Sequence, residues 1–214
     1  MANNIKEIYA SVEKSDKVLS NIITGNGCLD INSYSLYVGS GADGTCSIVF
    51  KNNGVISVKS TTTFNATCTY FDGSTGTKTF TANVVTDISN VLTLKVSLSR
   101  NSSNGSGSAS MGGFVIVEAL HDIGLTLEGF SLYVGSGADG TCSATIRNDG
   151  CSIIQYSKNA TLKATYKDGT TGNISVTTNT NINIANVSKF TIGLSRNSSG
   201  GSGSSSGGAF TVIS

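Results

Sequence analysis

The sequence predicts an all-β protein of two tandem sandwich domains, on three observations. Apolar residues come in short runs that alternate with polar ones, Gly-containing turn dipeptides separate those runs, and the chain repeats itself at a fixed spacing. Of 214 residues only 13% are charged, there is no Trp and no Pro, and the apolar set is dominated by Val, Ile, Leu, Tyr and Phe, which favour strands. The length accommodates one large or two small domains, each with its own core.

The repeat organises everything else. SLYVGSGADGTCS at Ser35 returns unchanged at Ser131, YFDGSTG at Tyr70 returns as YKDGTTG at Tyr166, and LSRNSS at Leu98 returns at Leu194, each shifted by 96 residues. The tails also align, NGSGSASMGGFVIV at Asn104 with GGSGSSSGGAFTVI at Gly200. A period near 96 is too long for a solenoid unit and matches an autonomous sandwich domain. The expected organisation is an N-terminal arm over 1–20, one sandwich over 21–117 and a second over 118–214.

Within the first copy the alternation predicts strands near 33–38, 45–51, 55–59, 64–71, 77–85, 91–98 and 113–119. Seven strands is the count of an immunoglobulin-like sandwich. Leu92, Leu94, Val96 and Leu98 are read onto one face of a strand, as are Phe190, Ile192 and Leu194 in the second copy. Two separate cores are expected, so that replacing Leu94 or Leu194 by Ala damages its own domain first. Asp72-Gly73 and Asp168-Gly169 sit between alternating runs and read as hairpin turns. The closing segments NSSNGSGSASMGG and NSSGGSGSSSGG read as flexible loops, able to become ordered against a neighbour.

The runs TCTYFDGSTGTKTFTANVV at Thr67 and ATYKDGTTGNISVTTNTNI at Ala164 carry a resemblance. They are similar to the Ala-Thr-Tyr-x-Asp-Gly-Thr stretch of bacterial group 2 immunoglobulin-like domains, modules of bacterial surface proteins and phage virion proteins. The resemblance covers about 20 residues of each repeat. The tryptophan that usually follows this hairpin is absent and the Gly-rich closing segment differs. Two immunoglobulin-like β-sandwiches are the fold it implies.

N-terminal to them, Ile5, Ile8, Tyr9 and Val12 recur at i, i+3, i+4 and i+7, and Asn4-x-x-Glu7 resembles a capping box. This predicts a helix over about 4–14, too short to be stable alone. Its apolar stripe is covered either by the first sandwich or by another protein on which it docks.

Gly39-x-Gly41-x-x-Gly44 spells a dinucleotide-binding loop, but the next residues, TCSIVFKNNG, alternate like a strand where a phosphate site needs a helix. The glycines and the Ala-Asp-Gly step are read instead as positive-φ positions joining two strands. Asp43, Asp139, Asp72 and Asp168 place one acid per loop, too few carboxylates for calcium, and are read as turn formers. The lone His121 is read as a linker residue, and Gly203-Ser204-Ser205-Ser206-Gly207 lacks the strand-to-helix setting of a nucleophile elbow. Five cysteines without C-x-x-C spacing read as buried thiols rather than as disulfides or a zinc site.

Net charge is +1, which provides no basic field for nucleic acid. No run approaches the roughly 18 apolar residues of a membrane span, and the first residues lack the apolar core of a signal peptide. Arg100 and Arg196, each in LSRNSS, are the most suggestive charges. They could grip a partner carboxylate in a bidentate way, form an internal salt bridge or sit at a solvated strand end.

The expected role is a non-enzymatic structural virion protein without cofactor or metal, an auxiliary or decoration protein made in the host cytoplasm and bound to the major capsid protein on a phage shell. Homo-oligomerisation is left open. Partner contacts are expected at Ile5, Ile8, Tyr9, Val12, Arg100 and Arg196. The alternative is a glycan-binding or adhesive module at a bacterial surface, with Tyr37 and Tyr133 as sugar platforms provided they face outward.

Overall fold

The computed structural model describes residues 28–39, 41–101, 105–119, 124–197 and 201–214. The helical arm expected over 1–20, with Ile5, Ile8, Tyr9 and Val12, lies outside the described residues, as does His121. Among the described residues the secondary structure is entirely β. The first repeat forms β1 (Cys28–Val38), β2 (Gly44–Asn53), β3 (Val55–Ser60), β4 (Phe64–Tyr70), β5 (Thr75–Phe80), β6 (Val85–Asp87), β7 (Val91–Arg100), β8 (Gly107–Gly112) and β9 (Phe114–Ala119). The second forms β10 (Gly124–Val134), β11 (Gly140–Asp149), β12 (Ile153–Tyr156), β13 (Ala160–Tyr166), β14 (Thr171–Val176), β15 (Asn181–Asn183), β16 (Val187–Arg196), β17 (Gly203–Ser206) and β18 (Phe210–Val212). The expected boundary between 117 and 118 therefore falls inside β9.

Nine strands per repeat replace the seven expected. The segment read as one strand over 77–85 is broken by a turn with Asn83 at φ 62°, giving β5 and the short β6. The other addition is β8, drawn from the Gly/Ser-rich segment. Its Ser108 and Ser110 are exposed while Ala109 and Met111 pack against the core. That is strand alternation written in side chains too small to register as a hydrophobic pattern.

Three sheets result, of nine, six and three strands. The nine-stranded sheet runs β15-β12-β18-β1-β2-β7-β4-β5 with β17 added on β1; the six-stranded sheet runs β14-β13-β16-β11-β10-β8; the third is β6-β3-β9. The three-stranded sheet covers the inner face of the first repeat's large sheet, and its counterpart in the second repeat, β15-β12-β18, does the same while continuing the nine-stranded sheet through β1. Phe114 of β9 meets Phe50 of β2 edge-on with centroids 5.3 Å apart, and Phe210 of β18 packs 5.6 Å from Phe190 of β16.

Register irregularities explain which residues face inward. In β1 the pairing with β2 shifts between Ile31 and Ser33, so Leu29 and Ile31 are buried on one parity and Tyr34, Leu36 and Val38 on the other. In β7 the partners of Thr69 and Tyr70 are Thr93 and Val91, which leaves Leu92 unpaired. An extra residue in one strand inverts the alternation beyond it. Val91, Leu94 and Val96 are consequently buried and Leu92 is not, which corrects the reading of Leu92 onto the core face.

The repeats are not self-contained. β8 of the first repeat pairs with β10 of the second from Gly129↔Gly112 to Val134↔Gly107, and β17 of the second pairs with β1 of the first from Ser35↔Ser206 to Val38↔Gly203. Each copy thus completes the sheet of the other. The buried residues of both repeats form one continuous cluster, so the two separate interiors expected from the sequence are one shared interior. The seam requires close approach. A Cβ on Gly44 would lie 2.7 Å from Val134 Cγ2, and one on Gly140 would lie 2.6 Å from Val38 Cγ2. Matched glycines and valines thereby bring the two large sheets together about a pseudo-two-fold axis.

Two buried asparagines brace the small sheets. Asn148 Nδ2 donates to Cys151 O (2.9 Å), Ile184 O (2.9 Å) and Val187 O (3.0 Å), and its Oδ1 accepts from Cys151 N (2.8 Å). Asn52 repeats this on Val55 and Ile88. Across the seam, the Tyr34 and Tyr156 hydroxyls hydrogen-bond at 2.8 Å, Tyr156 Oη accepts from Gly208 N at 2.9 Å, and Asp30 Oδ1 accepts from Val212 N at 2.9 Å. Burial, then the hydrogen bond to Tyr156, pushes the Tyr34 phenol above its ordinary value.

Candidate functional site

The glycine loops join strand to strand. β2 begins at Gly44 and β11 at Gly140, so no helix follows either loop and the dinucleotide spelling has no structural basis. The positive φ angles fall on Ala42 (58°) and Ala138 (60°), both buried, rather than on the flanking glycines. Gly39 N donates to Asp43 O and Gly135 N to Asp139 O, at 2.8 and 2.7 Å. Asp72 accepts from Ser74 N and Oγ, and Asp168 from Thr170 N and Oγ1; each stabilises its own hairpin turn. The bonds from the Thr170 hydroxyl and amide hold the Asp168 carboxyl below the usual range.

Arg100 and Arg196 are placed alike but not as expected. Neither forms an ion pair among the described residues. Each guanidinium lies flat on the backbone of a glycine that opens an exchanged strand: a Cβ on Gly107 would sit 2.0 Å from Arg100 Cζ, and one on Gly203 2.1 Å from Arg196 Cζ. One Nη2 of each reaches a carbonyl of the same loop, Ser106 at 3.5 Å and Ser202 at 3.4 Å. The arginines therefore hold down the start of β8 and β17.

Cys46, Cys68, Cys142 and Cys151 are buried free thiols. Cys46 and Cys142, equivalent by the repeat, are within hydrogen-bonding reach of each other across the seam, and that bond together with burial pushes the Cys46 thiol up. Burial, with help from Asp149 and Asp30, pushes Cys151 up to about 12. Cys46 and Cys151 are thereby held in the unreactive thiol form, whereas the bond to Cys46 draws the Cys142 thiol down against its burial.

Two tyrosines remain in the open. Tyr37 is 40% exposed and Tyr133 44% exposed, the two aromatics among the exposed large hydrophobic side chains. Both stand on the outer face of their sheet, as the alternation opposite Leu36 and Leu132 allowed. In register across the first sheet stand Ser204, Tyr37, Thr45 and Ser99; across the second stand Ser108, Tyr133, Thr141 and Ser195. A shallow depression beside Tyr37 is lined by Ser35, Thr45, Ser47, Lys95, Ser97 and Ser99. The serines from β8 and β17 were not legible as site residues, because nothing in a Ser/Gly run signals that it joins the other repeat's sheet. Among the described residues no group of three or more His, Cys, Asp or Glu stands close enough to hold a metal ion.

Comparison with family models, curated proteins and solved structures finds no match for this chain.

Proposed function

We propose that this chain is a non-enzymatic structural protein of a virus particle, an auxiliary or decoration protein seated on a phage capsid through the major capsid protein, with each repeat akin to an immunoglobulin-like module. The observation that carries the reading is the reciprocal strand exchange. It ties two modules into one body with nearly neutral, hydroxyl-rich outer faces, suited to standing on a lattice without adhering indiscriminately. Weak docking per copy suffices, because repeated attachment raises effective concentration.

The test is co-sedimentation of the full chain with empty phage shells, alongside a variant lacking residues 1–20. Shell binding that disappears with the deletion supports docking through the arm that contains Ile5, Ile8, Tyr9 and Val12. Retained binding moves docking to the β body, and absence of binding by the full chain removes the capsid role.

A further inference from the structure

The pseudo-symmetry allows each outward position to be compared with its counterpart 96 residues away. One row of the sheet is the same in both copies: Ser204-Tyr37-Thr45-Ser99 against Ser108-Tyr133-Thr141-Ser195. A nearby row on the same outer faces has changed throughout, Val49-Lys95-Thr67-Thr77 against Thr145-Thr191-Lys163-Asn173. Inward residues are kept by packing, but packing does not explain an exposed tyrosine and its three hydroxyl neighbours. Tyr37 and Thr45 come from the stretch repeated unchanged from Ser35, Ser99 from LSRNSS and Ser204 from the aligned tails, and the exchange of strands assembles these three repeated segments into one row on each outer face.

We infer that the two rows are equivalent carbohydrate-binding patches, each taking a neutral glycan. The tyrosine ring offers an apolar face with a polar rim, suited to stacking on a pyranose. The hydroxyls of Thr45, Ser99 and Ser204, and of Thr141, Ser195 and Ser108, make no hydrogen bond within the protein among the described residues, so they are available to sugar hydroxyls. No charged residue belongs to the row in either copy, and Lys95, which borders the depression beside Tyr37, is replaced by Thr191 at the second patch; a ligand common to both patches is therefore neutral. Because each patch combines strands from both repeats, it exists only in the exchanged body, and one chain carries two. This inference is independent of capsid docking.

Affinity electrophoresis of the full chain in native gels containing dextran, mannan or arabinogalactan tests it, with alginate as an acidic counterpart. Expected is retardation by at least one neutral polysaccharide, weakened about tenfold or more in Tyr37→Ala or Tyr133→Ala through lost bivalency. It should vanish in the double Ala variant and persist in the double Phe variant, all with unchanged circular dichroism, since both rings stand on the outer face and are only partly covered. The assignment is overturned by unretarded wild-type protein, by wild-type retardation of the double Ala variant, or by retardation in alginate alone. Tyrosine-dependent co-sedimentation with phage shells without gel retardation also overturns it, marking the patches as protein contacts.

Discussion

Single residues decide more here than their size suggests. Asn148 closes four hydrogen bonds at a place water does not reach, so Asn148→Ala leaves backbone groups without partners and should lower unfolding free energy by roughly 3 kcal/mol in urea titrations. Tyr34→Phe removes only a hydroxyl, and the counterpart position already carries Phe130; a loss of about 1 kcal/mol is expected. Cys151 gives a pH signature. Its folded-state pKa, about 12, stands above the ordinary 9.0, so its stabilising contribution is complete below pH 9.0 and drains away as pH rises towards 12. Cys151→Val, matching Val55 at the equivalent site, should flatten that alkaline limb in thermal melts taken from pH 8 to 12. Asp168 has the opposite sign: its depressed carboxyl favours the folded state above the unfolded pKa and loses that contribution as acid is added.

At the level of strands, glycine matters in two different ways. A Cβ on Gly113 would lie 1.5 Å from Leu127 O, where β9 leaves the seam, and a backbone atom cannot step aside. Gly73 has open space around it but φ +81°, so Ala there costs only about 1 kcal/mol of backbone strain. Gly113→Ala should therefore abolish soluble expression or lower Tm far more than Gly73→Ala, as differential scanning fluorimetry would show. The strands that alternation made legible, such as β2 and β7, carry large apolar residues on one face and polar ones on the other. β8 and β17 are illegible because Ala, Ser and Gly supply the alternation without contrast, and because each pairs with a strand of the other repeat. The same reason hid the candidate patches: the alternation opposite Leu36 allowed Tyr37 to face outward, but nothing in the sequence marked Ser204 as its neighbour. Bulges at Asn32 and Leu92 were also illegible, since an extra residue leaves no mark on composition.

For the molecule as a whole, one shared interior changes what damage should look like. Leu94 is almost fully buried, and Leu94→Ala should cost about 3 kcal/mol. With strands crossing in both directions, that loss should appear as one lowered transition seen equally by circular dichroism and by hydrogen exchange in β4–β5 and β13–β14. Two transitions, with the second repeat untouched, would restore the picture of independent modules. The duplicated halves, the all-β class and the hairpin aspartates were readable because they are local or self-similar. The crossing was not, because similar halves offer each strand a partner in either repeat and only three-dimensional closure chooses between them.

The mutual clasp of β8 and β17 has a bearing on ancestry and on engineering. A lone copy would hold out a ribbon with no groove to receive it and a groove with no ribbon, so it would gather into pairs. Longer arrays of such units should close cleanly at even counts and leave an orphan at odd ones.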